Sequence, residues 1–200
     1  MVSMVLLLTA AGCRDTSTAT AQPDHQAEWR GVLQYKQAAM TAGASPEAKQ
    51  RYADSVRAFV QKHPTHSRGR VVWQRIQLEF ADDLAALGRY QDAIRFYRAV
   101  LQHDPINEHA RRGLSVAADR LAVTREKLLT LEKGMSKRQV ADILGKPIPG
   151  WTEKHARREA TIEAWYYRTG TGAVAGVYFR DGRVFAAEEN SSARVARLDS

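Results

Sequence analysis

Histidine spacing is the first place to look for metal chemistry in this chain. Six histidines occur, and a protein metal site needs three or four ligands that converge on one ion. His63 and His66 fall in one interhelix loop, and His103 and His109 flank Pro105. No carboxylate spacing joins the two pairs into one ligand set. The sequence therefore predicts no metal site and no metal cofactor.

Adjacent carboxylates are the remaining candidates for acid–base chemistry. Asp82 with Asp83, and Glu188 with Glu189, are neighbours in sequence, so the two members of each pair point in different directions. No serine lies in a nucleophile-elbow sequence, and no phosphate-binding loop is visible. We therefore predict a protein that is not an enzyme and that uses no cofactor.

Cys13 is the only cysteine, and it follows an apolar run over residues 4–8 and small residues over 9–12. This arrangement resembles the signal peptide of a bacterial lipoprotein, whose cysteine thiol receives a lipid after the preceding segment is removed. The resemblance implies a signal peptide over 1–12, lipidation at Cys13 and a tether over 13–25, whose composition favours flexibility. The alternative is a hydrophobic terminus with an incidental thiol.

The charge balance limits the class of partner. Lys and Arg outnumber Asp and Glu by 30 to 22, which gives a formal charge of +8 and a pI near 9.8. Such an excess suits nucleic acid, anionic lipid or an acidic protein. The basic residues are spread along predicted helical faces without an RNA-binding signature, so we expect no nucleic-acid partner. Arg14 after the cysteine resembles outer-membrane sorting, which implies a lipid-anchored envelope protein that faces the periplasm.

Helices are expected to position any site within residues 26–131. Apolar residues every three or four positions predict one helix through Trp73 to Leu87 and a second through Ala93 to Leu101, with a turn at Gly88. Pro105 ends the pair. Residues 74–107 resemble a tetratricopeptide repeat, flanked by weaker units. The alternative is an ordinary helical bundle.

The tetratricopeptide resemblance implies a concave surface that holds a partner peptide. Its predicted lining residues come from two successive repeats: Arg75, Leu78, Asp82, Ala85, His109, Arg112, Val116 and Asp119. The two arginines would bind carboxylates, for which a forked guanidinium is suited. Alternatively, the two apolar residues belong to the core and the arginines are merely solvated.

A second, smaller domain is predicted over residues 132–189, with a tail over 190–200. Ser136 and Gln139 form a capping box that starts a short helix, and Gly145 ends it. Three strands follow, over 160–169, 173–180 and 183–188, the last two joined by a hairpin turn at Asp181-Gly182. We therefore predict an α+β fold in which helical repeats precede a small helix and a three-stranded antiparallel sheet.

The hairpin turn also predicts which side chains share a face of that sheet. It pairs Phe179 with Val184 and Val177 with Ala186 on the face that the short helix covers, and Tyr178 with Phe185 on the other. We expect the other face to be an exposed interface for a protein or an anionic lipid, rimmed by a basic loop. The interface residues are Trp165, Tyr167, Tyr178 and Phe185, and the loop residues are Lys154, His155, Arg157 and Arg158. The alternative is an internal contact with the repeat helices.

Residues 128–189 resemble the SmpA/OmlA family, the BamE-like lipoproteins of outer-membrane β-barrel assembly. The resemblance rests on Gly134-Met135-Ser136, Leu144-Gly145-Lys146-Pro147, Trp165-Tyr166-Tyr167 and the hairpin at residues 177–184. It implies a non-catalytic scaffold whose partners are envelope or outer-membrane proteins. A related fold inhibits β-lactamases, so an enzyme inhibitor or sensor is an alternative. A structural lipoprotein that binds peptidoglycan or anionic lipid is another.

Overall fold

The structure is a computed structural model that describes residues 25–156 and 159–192. Cys13, the predicted signal peptide over 1–12, residues 193–200 of the tail, and Arg157 and Arg158 lie outside the described residues, as does the tether up to residue 24. Within the described part, seven helices precede a four-stranded antiparallel sheet, so the α+β class is confirmed. None of the described helices is long and apolar enough to cross a membrane.

The chain divides into two compact units, Met1–His63 and Pro64–Ser200. In the first, α1 (His25–Ala39) packs against α2 (Pro46–Lys62), which begins at the Ser45 cap. Glu28 accepts hydrogen bonds from Lys62 at 2.6 Å and contacts His63 Nε2 at 2.6 Å. The bond from Lys62 and then the contact with His63 hold the pKa of Glu28 down at about 2.

The second unit begins with α3 (Ser67–Ala86), α4 (Tyr90–His103) and α5 (Glu108–Leu121). Small residues at the contacts, including Ala81, Ala93 and Ala110, are fully buried and let α4 pack closely against both neighbours. The predicted helix pair and the turn between its members are confirmed. The tetratricopeptide assignment itself stays a prediction.

Two short helices lead into the sheet: α6 (Arg125–Leu129) and α7 (Lys137–Leu144). The predicted capping box of α7 is confirmed, because Ser136 accepts from the Gln139 amide while the Gln139 side chain accepts from the Ser136 amide. Two turns of helix are not stable alone in water. Val140 and Leu144 are therefore buried against the sheet, in the cluster that contains Phe179.

The sheet has four strands in the order β1 (Thr152–Ala156), β2 (Thr161–Arg168), β3 (Val174–Arg180) and β4 (Arg183–Glu188). The prediction of three strands is therefore wrong. β1 is an edge strand whose residues are exposed or half-buried, so it carries no apolar alternation that a sequence could reveal.

The β3–β4 hairpin turns at Asp181 and Gly182, which both have positive φ, as a two-residue hairpin turn requires. Phe179 pairs with Val184, as predicted. A bulge then leaves Phe185 as an extra residue in β4, so that Tyr178 faces Ala186 and Val177 faces Ala187. The predicted pairs Tyr178 with Phe185 and Val177 with Ala186 are wrong by one residue.

Candidate functional site

Two of the eight residues predicted to line the groove, Asp82 of α3 and His109 of α5, lie in contact with each other. His109 Nε2 lies 2.9 Å from an oxygen of Asp82, and the Tyr97 hydroxyl donates to the same carboxylate at 2.7 Å. Burial, and then the bond to Asp82, raises the pKa of Tyr97 far above its ordinary value. The phenol therefore stays protonated and fixes the Asp82 side chain where the two helices touch.

The other predicted groove residues differ in their surroundings. Arg75 is exposed, 3.8 Å from Glu79 on its own helix, and Arg112 and Val116 are exposed on α5. Leu78 and Ala85 pack partly against the helical core. Asp119 accepts from Lys127 of α6 at 2.6 Å. Asp82 and His109 are thus paired with each other, Arg75 and Asp119 lie beside charges outside the predicted set, and Arg112 remains exposed.

The predicted sheet interface is wrong for two of its four members. Trp165 pairs with Val177 and Tyr167 with Ala175, and residues paired across strands share a face. Both aromatics therefore lie on the face that α7 covers, where Tyr167 is buried and Trp165 packs against the cluster. The aromatic residue of β2 that lies beside Tyr178 on the outer face is instead Tyr166, and the centres of the two rings are 6.4 Å apart.

Tyr178 lies on the predicted outer face but is only 5% exposed, so it is not a docking residue in this structure. Its hydroxyl is 2.9 Å from the Ser191 hydroxyl and 3.1 Å from a Glu188 oxygen. The phenol can reach both because Gly176 leaves space: a Cβ there would lie 2.6 Å from the Ser191 hydroxyl and 2.7 Å from that of Tyr178. Only Phe185, which is 37% exposed, remains at the surface as predicted.

The predicted basic loop is partly a strand. Lys154 and His155 belong to β1, where they pair with Glu163 and Ile162 and remain exposed. They are therefore held at a sheet edge rather than on a loop, because the segment continues the antiparallel ladder. Arg157 and Arg158 lie outside the described residues.

The helices and the sheet of the second unit meet at a hydrogen-bonded junction. The Lys146 amide donates to the Tyr90 hydroxyl at 2.7 Å, and the Tyr167 hydroxyl donates to the Gly145 carbonyl at 3.1 Å. Gly145 has a φ of 81°, and a Cβ there would overlap the Tyr90 hydroxyl. On the other side, the amide of Val123 donates to the carbonyl of Arg168 at 2.8 Å.

A cavity of about 570 Å³ opens at this junction, and we call it the basic cleft. The turn before α4, one side of α4, the end of α5, the segment after α7 and the end of β2 all contribute to its lining. Six of its lining residues are basic: Arg89, Arg95, Arg98, Arg120, Lys146 and Arg168. Among the described residues that line it, Asp92 is the single acidic one.

Asp92 neutralises only part of this charge. It accepts from Arg89 at 2.6 Å and from Arg95 at 3.3 Å. The other four basic residues have no acidic partner within the described ranges: Arg98, Arg120, Lys146 and Arg168. The guanidinium of Arg168 lies 5.8 Å from the centre of the Trp151 ring, on the outer face of the sheet. Arg120 is half-buried, where an unneutralised charge is costlier than at the open surface. The cleft is therefore a concave surface with an excess of positive charge.

Sequence reasoning missed the basic cleft, although one signal was present. Arg89, at the cap of α4, and Asp92, Arg95 and Arg98 within it recur every three residues, so each is adjacent to the next on the helix surface. The other three basic residues of the lining lie 22 to 70 residues after Arg98, each in a different part of the fold. The basic residues are therefore dispersed in the sequence. Only the fold brings them to one cavity.

No metal centre emerges from the part of the chain that the structure describes, since no three His, Cys, Asp or Glu side chains there could hold one ion. We found no matching family model, no matching curated protein and no matching solved structure for this chain.

Proposed function

We propose that this protein is a non-catalytic scaffold of the bacterial cell envelope, anchored through lipid on Cys13, that binds an acidic segment of an envelope or outer-membrane protein. The observation that supports this proposal is the meeting of α3 and α5 at Asp82 and His109. That contact makes one continuous surface from two helices. Arg75 and Arg112 remain exposed on it and available to partner carboxylates.

Charge reversal tests the binding surface. Arg75→Glu with Arg112→Glu should weaken capture of the partner from detergent-solubilised membranes by roughly tenfold, because guanidinium–carboxylate attraction is replaced by repulsion. The matched control is Arg70→Glu with Arg111→Glu, which makes the same change in charge on other exposed positions of α3 and α5. Equal capture by both double variants would remove this surface from the proposal.

The anchor is tested separately, by fractionation. A thioether-linked lipid with several acyl chains gains about 0.8 kcal/mol per buried methylene, so the wild-type protein should stay with membranes after a salt wash. Cys13→Ser should release it to the soluble fraction. A Cys13→Ser protein that remains membrane-bound would contradict the lipid anchor without affecting the binding surface.

Tyr178 and Tyr167 are buried and Trp165 is half-buried, so an inhibitor or sensor that docks through the aromatic sheet face would have little exposed surface to use. The alternative of a structural lipoprotein that binds peptidoglycan or anionic lipid has a specific observation in its favour. Six basic residues line the cleft at the junction, against one carboxylate.

A further inference from the structure

We propose that the basic cleft is a binding site for a phosphate-bearing ligand, with the phosphate carried either by a soluble compound or by a lipid head group. This inference goes beyond the scaffold function and does not depend on it, because the cleft and the surface at Arg75 and Arg112 share no residues.

Charge is the first argument for a phosphate. Arg98, Arg120 and Lys146 line the cavity without an acidic partner in the described part of the chain, whereas the guanidinium of Arg168 lies over the Trp151 ring on the outer face of the sheet. One carboxylate would neutralise one of these three cations. A phosphate monoester carries close to two negative charges and a diphosphate carries more, and the guanidinium fork matches phosphate oxygens with two parallel hydrogen bonds.

The size and lining of the cleft give the second argument. A volume of about 570 Å³ lies within the usual range of small-molecule sites and exceeds what a bare phosphate ion would fill. Ile94, Leu121, Val123 and Ile148 also line the cavity, together with the rings of Tyr90 and Tyr167. The ligand therefore combines an anionic group with an apolar or ring-shaped portion.

The junction supplies the third argument, because it fixes the walls before any ligand arrives. The Lys146 amide is bonded to Tyr90, and the carbonyl of Arg168 is bonded to the amide of Val123. The backbone positions of two cations are thus set by contacts between the helices and the sheet. A site that is ordered in advance loses less entropy when a ligand binds.

Titration of the full-length chain with inorganic diphosphate, at constant ionic strength, tests the charge argument. We expect saturable binding that weakens at least about tenfold in the double variant Arg98→Gln with Lys146→Gln, since each removes a charged hydrogen-bond donor. Both side chains are exposed, so the fold should tolerate the change. The matched control, Arg70→Gln with Arg111→Gln, removes the same charge elsewhere and should change affinity less than about twofold.

Absence of saturable binding would overturn the proposal, and so would equal weakening in the two double variants, which would indicate diffuse charge attraction. Succinate serves as the dicarboxylate comparison. Binding of succinate as tight as that of diphosphate would overturn the assignment to phosphate.

Asp92→Asn provides a variant whose expected effect is a gain. The substitution removes the Asp92 carboxylate, to which Arg89 and Arg95 donate. The positive charge of the cleft rises as a result, so diphosphate should bind several-fold more tightly. Loss of folded protein cannot produce tighter binding. Unchanged or weaker affinity would contradict the placement of the ligand beside α4.

The source of the phosphate is resolved by flotation with phosphatidylcholine vesicles that contain phosphatidate, using the Cys13→Ser chain so that the anchor does not contribute. If the ligand is a lipid head group, this chain floats with the vesicles, diphosphate displaces it, and Arg98→Gln with Lys146→Gln abolishes flotation. If the ligand is soluble, diphosphate binds but the chain does not float. Flotation that diphosphate cannot reverse would place lipid contact outside the cleft and overturn a lipid source.

Discussion

The two faces of the four-stranded sheet bury aromatic side chains by different means. On the inner face, α7 places Val140 and Leu144 over Phe179 and Tyr167, so a helix supplies the apolar cover. On the outer face, the cluster of Ala164, Tyr166 and Tyr178 packs with Trp151, Val174 and Ala186, and no helical residue belongs to it in the described part of the chain. Small residues there make room for rings that lie along the sheet.

This difference shows that an aromatic side chain can also be buried on the sheet face that α7 does not cover. The Tyr178 ring extends over Gly176, and its hydroxyl meets Ser191 and Glu188. Ser191 itself is bound to the sheet, because its amide donates to the carbonyl of Val174. The outer face is therefore a second, smaller core that includes the segment after β4.

The largest expected effect comes from truncating one large side chain on each face. Leu144→Ala should lower the free energy of unfolding by about 2 to 5 kcal/mol, and Tyr178→Ala by about 3 to 5 kcal/mol, since both side chains are buried. Phe185→Ala should cost less than about 1 kcal/mol, because its ring is already partly exposed. Urea denaturation combined with hydrogen exchange of the β3 amides measures all three.

A Tyr178→Ala protein as stable as the wild type would mean that the outer face is not a core. The comparison between faces would then fail, and Tyr178 would return as a candidate interface residue.

The next largest effect is expected from filling the space over which the Tyr178 ring lies. Gly176→Ala introduces a Cβ 2.6 Å from the Ser191 hydroxyl, so either Ser191 or the Tyr178 phenol must move. Such overpacking costs about 1 to 3 kcal/mol. Ala175→Gly, at the neighbouring position on the α7 side, is the control for backbone flexibility in β3. Retained hydrogen-exchange protection at Ser191 in Gly176→Ala would contradict the close packing described above.

The parts of the sheet domain that follow local rules were predicted correctly. The capping box at Ser136 and Gln139 started α7, and the Asp181-Gly182 turn placed Phe179 opposite Val184.

The pairs beyond Val184 were wrong on both faces of the sheet, because one bulge at Phe185 shifts them by one residue and nothing in the local sequence marks the extra residue. Trp165 and Tyr167 were assigned to the wrong face for another reason: no two-residue turn joins β2 to β3, so their register was not predicted.

The basic cleft could not be predicted from the sequence, because its basic residues come from parts of the chain that are far apart. Its cations become neighbours only after the turn before α4 meets the segment after α7, through Tyr90 and Lys146. Residues 90 and 146 are far apart in the chain, and no spacing rule connects them. Asp82 and His109 were placed on one surface by the resemblance to a tetratricopeptide repeat, but their direct contact was not predicted.

A smaller effect is expected from removing one hydroxyl on each face. Tyr178→Phe should cost about 1 kcal/mol, because the Ser191 and Glu188 side chains lose a partner but still bond to each other at 3.2 Å. Tyr167→Phe on the inner face should cost a similar amount, because it leaves the Gly145 carbonyl without its donor in a buried place. Measured costs near zero for Tyr178→Phe and near 1 kcal/mol for Tyr167→Phe would show that hydrogen bonds matter only under the helix.

The smallest effect concerns a carboxylate at the rim of the inner face. Glu163 accepts from the Lys137 ammonium of α7 and, at 2.7 Å, from the Trp165 indole. Partial burial acts to raise its pKa, but these two donors outweigh burial, so the pKa of Glu163 lies below its ordinary value of 4.5. A carboxylate whose pKa is lower in the folded state stabilises the fold above its unfolded pKa, and that stabilisation is lost as the pH falls through the folded value.

Glu163→Gln should therefore lower the free energy of unfolding by less than about 1.5 kcal/mol at neutral pH, since Lys137 is partly exposed. The difference between wild type and Glu163→Gln should shrink as the pH falls below 4.5, because the protonated wild-type side chain then resembles glutamine. Lys137→Gln is the matched variant, as it removes the partner and leaves the carboxylate in place. A difference that stays constant down to the acid transition would show that the contact between α7 and β2 does not depend on this charge.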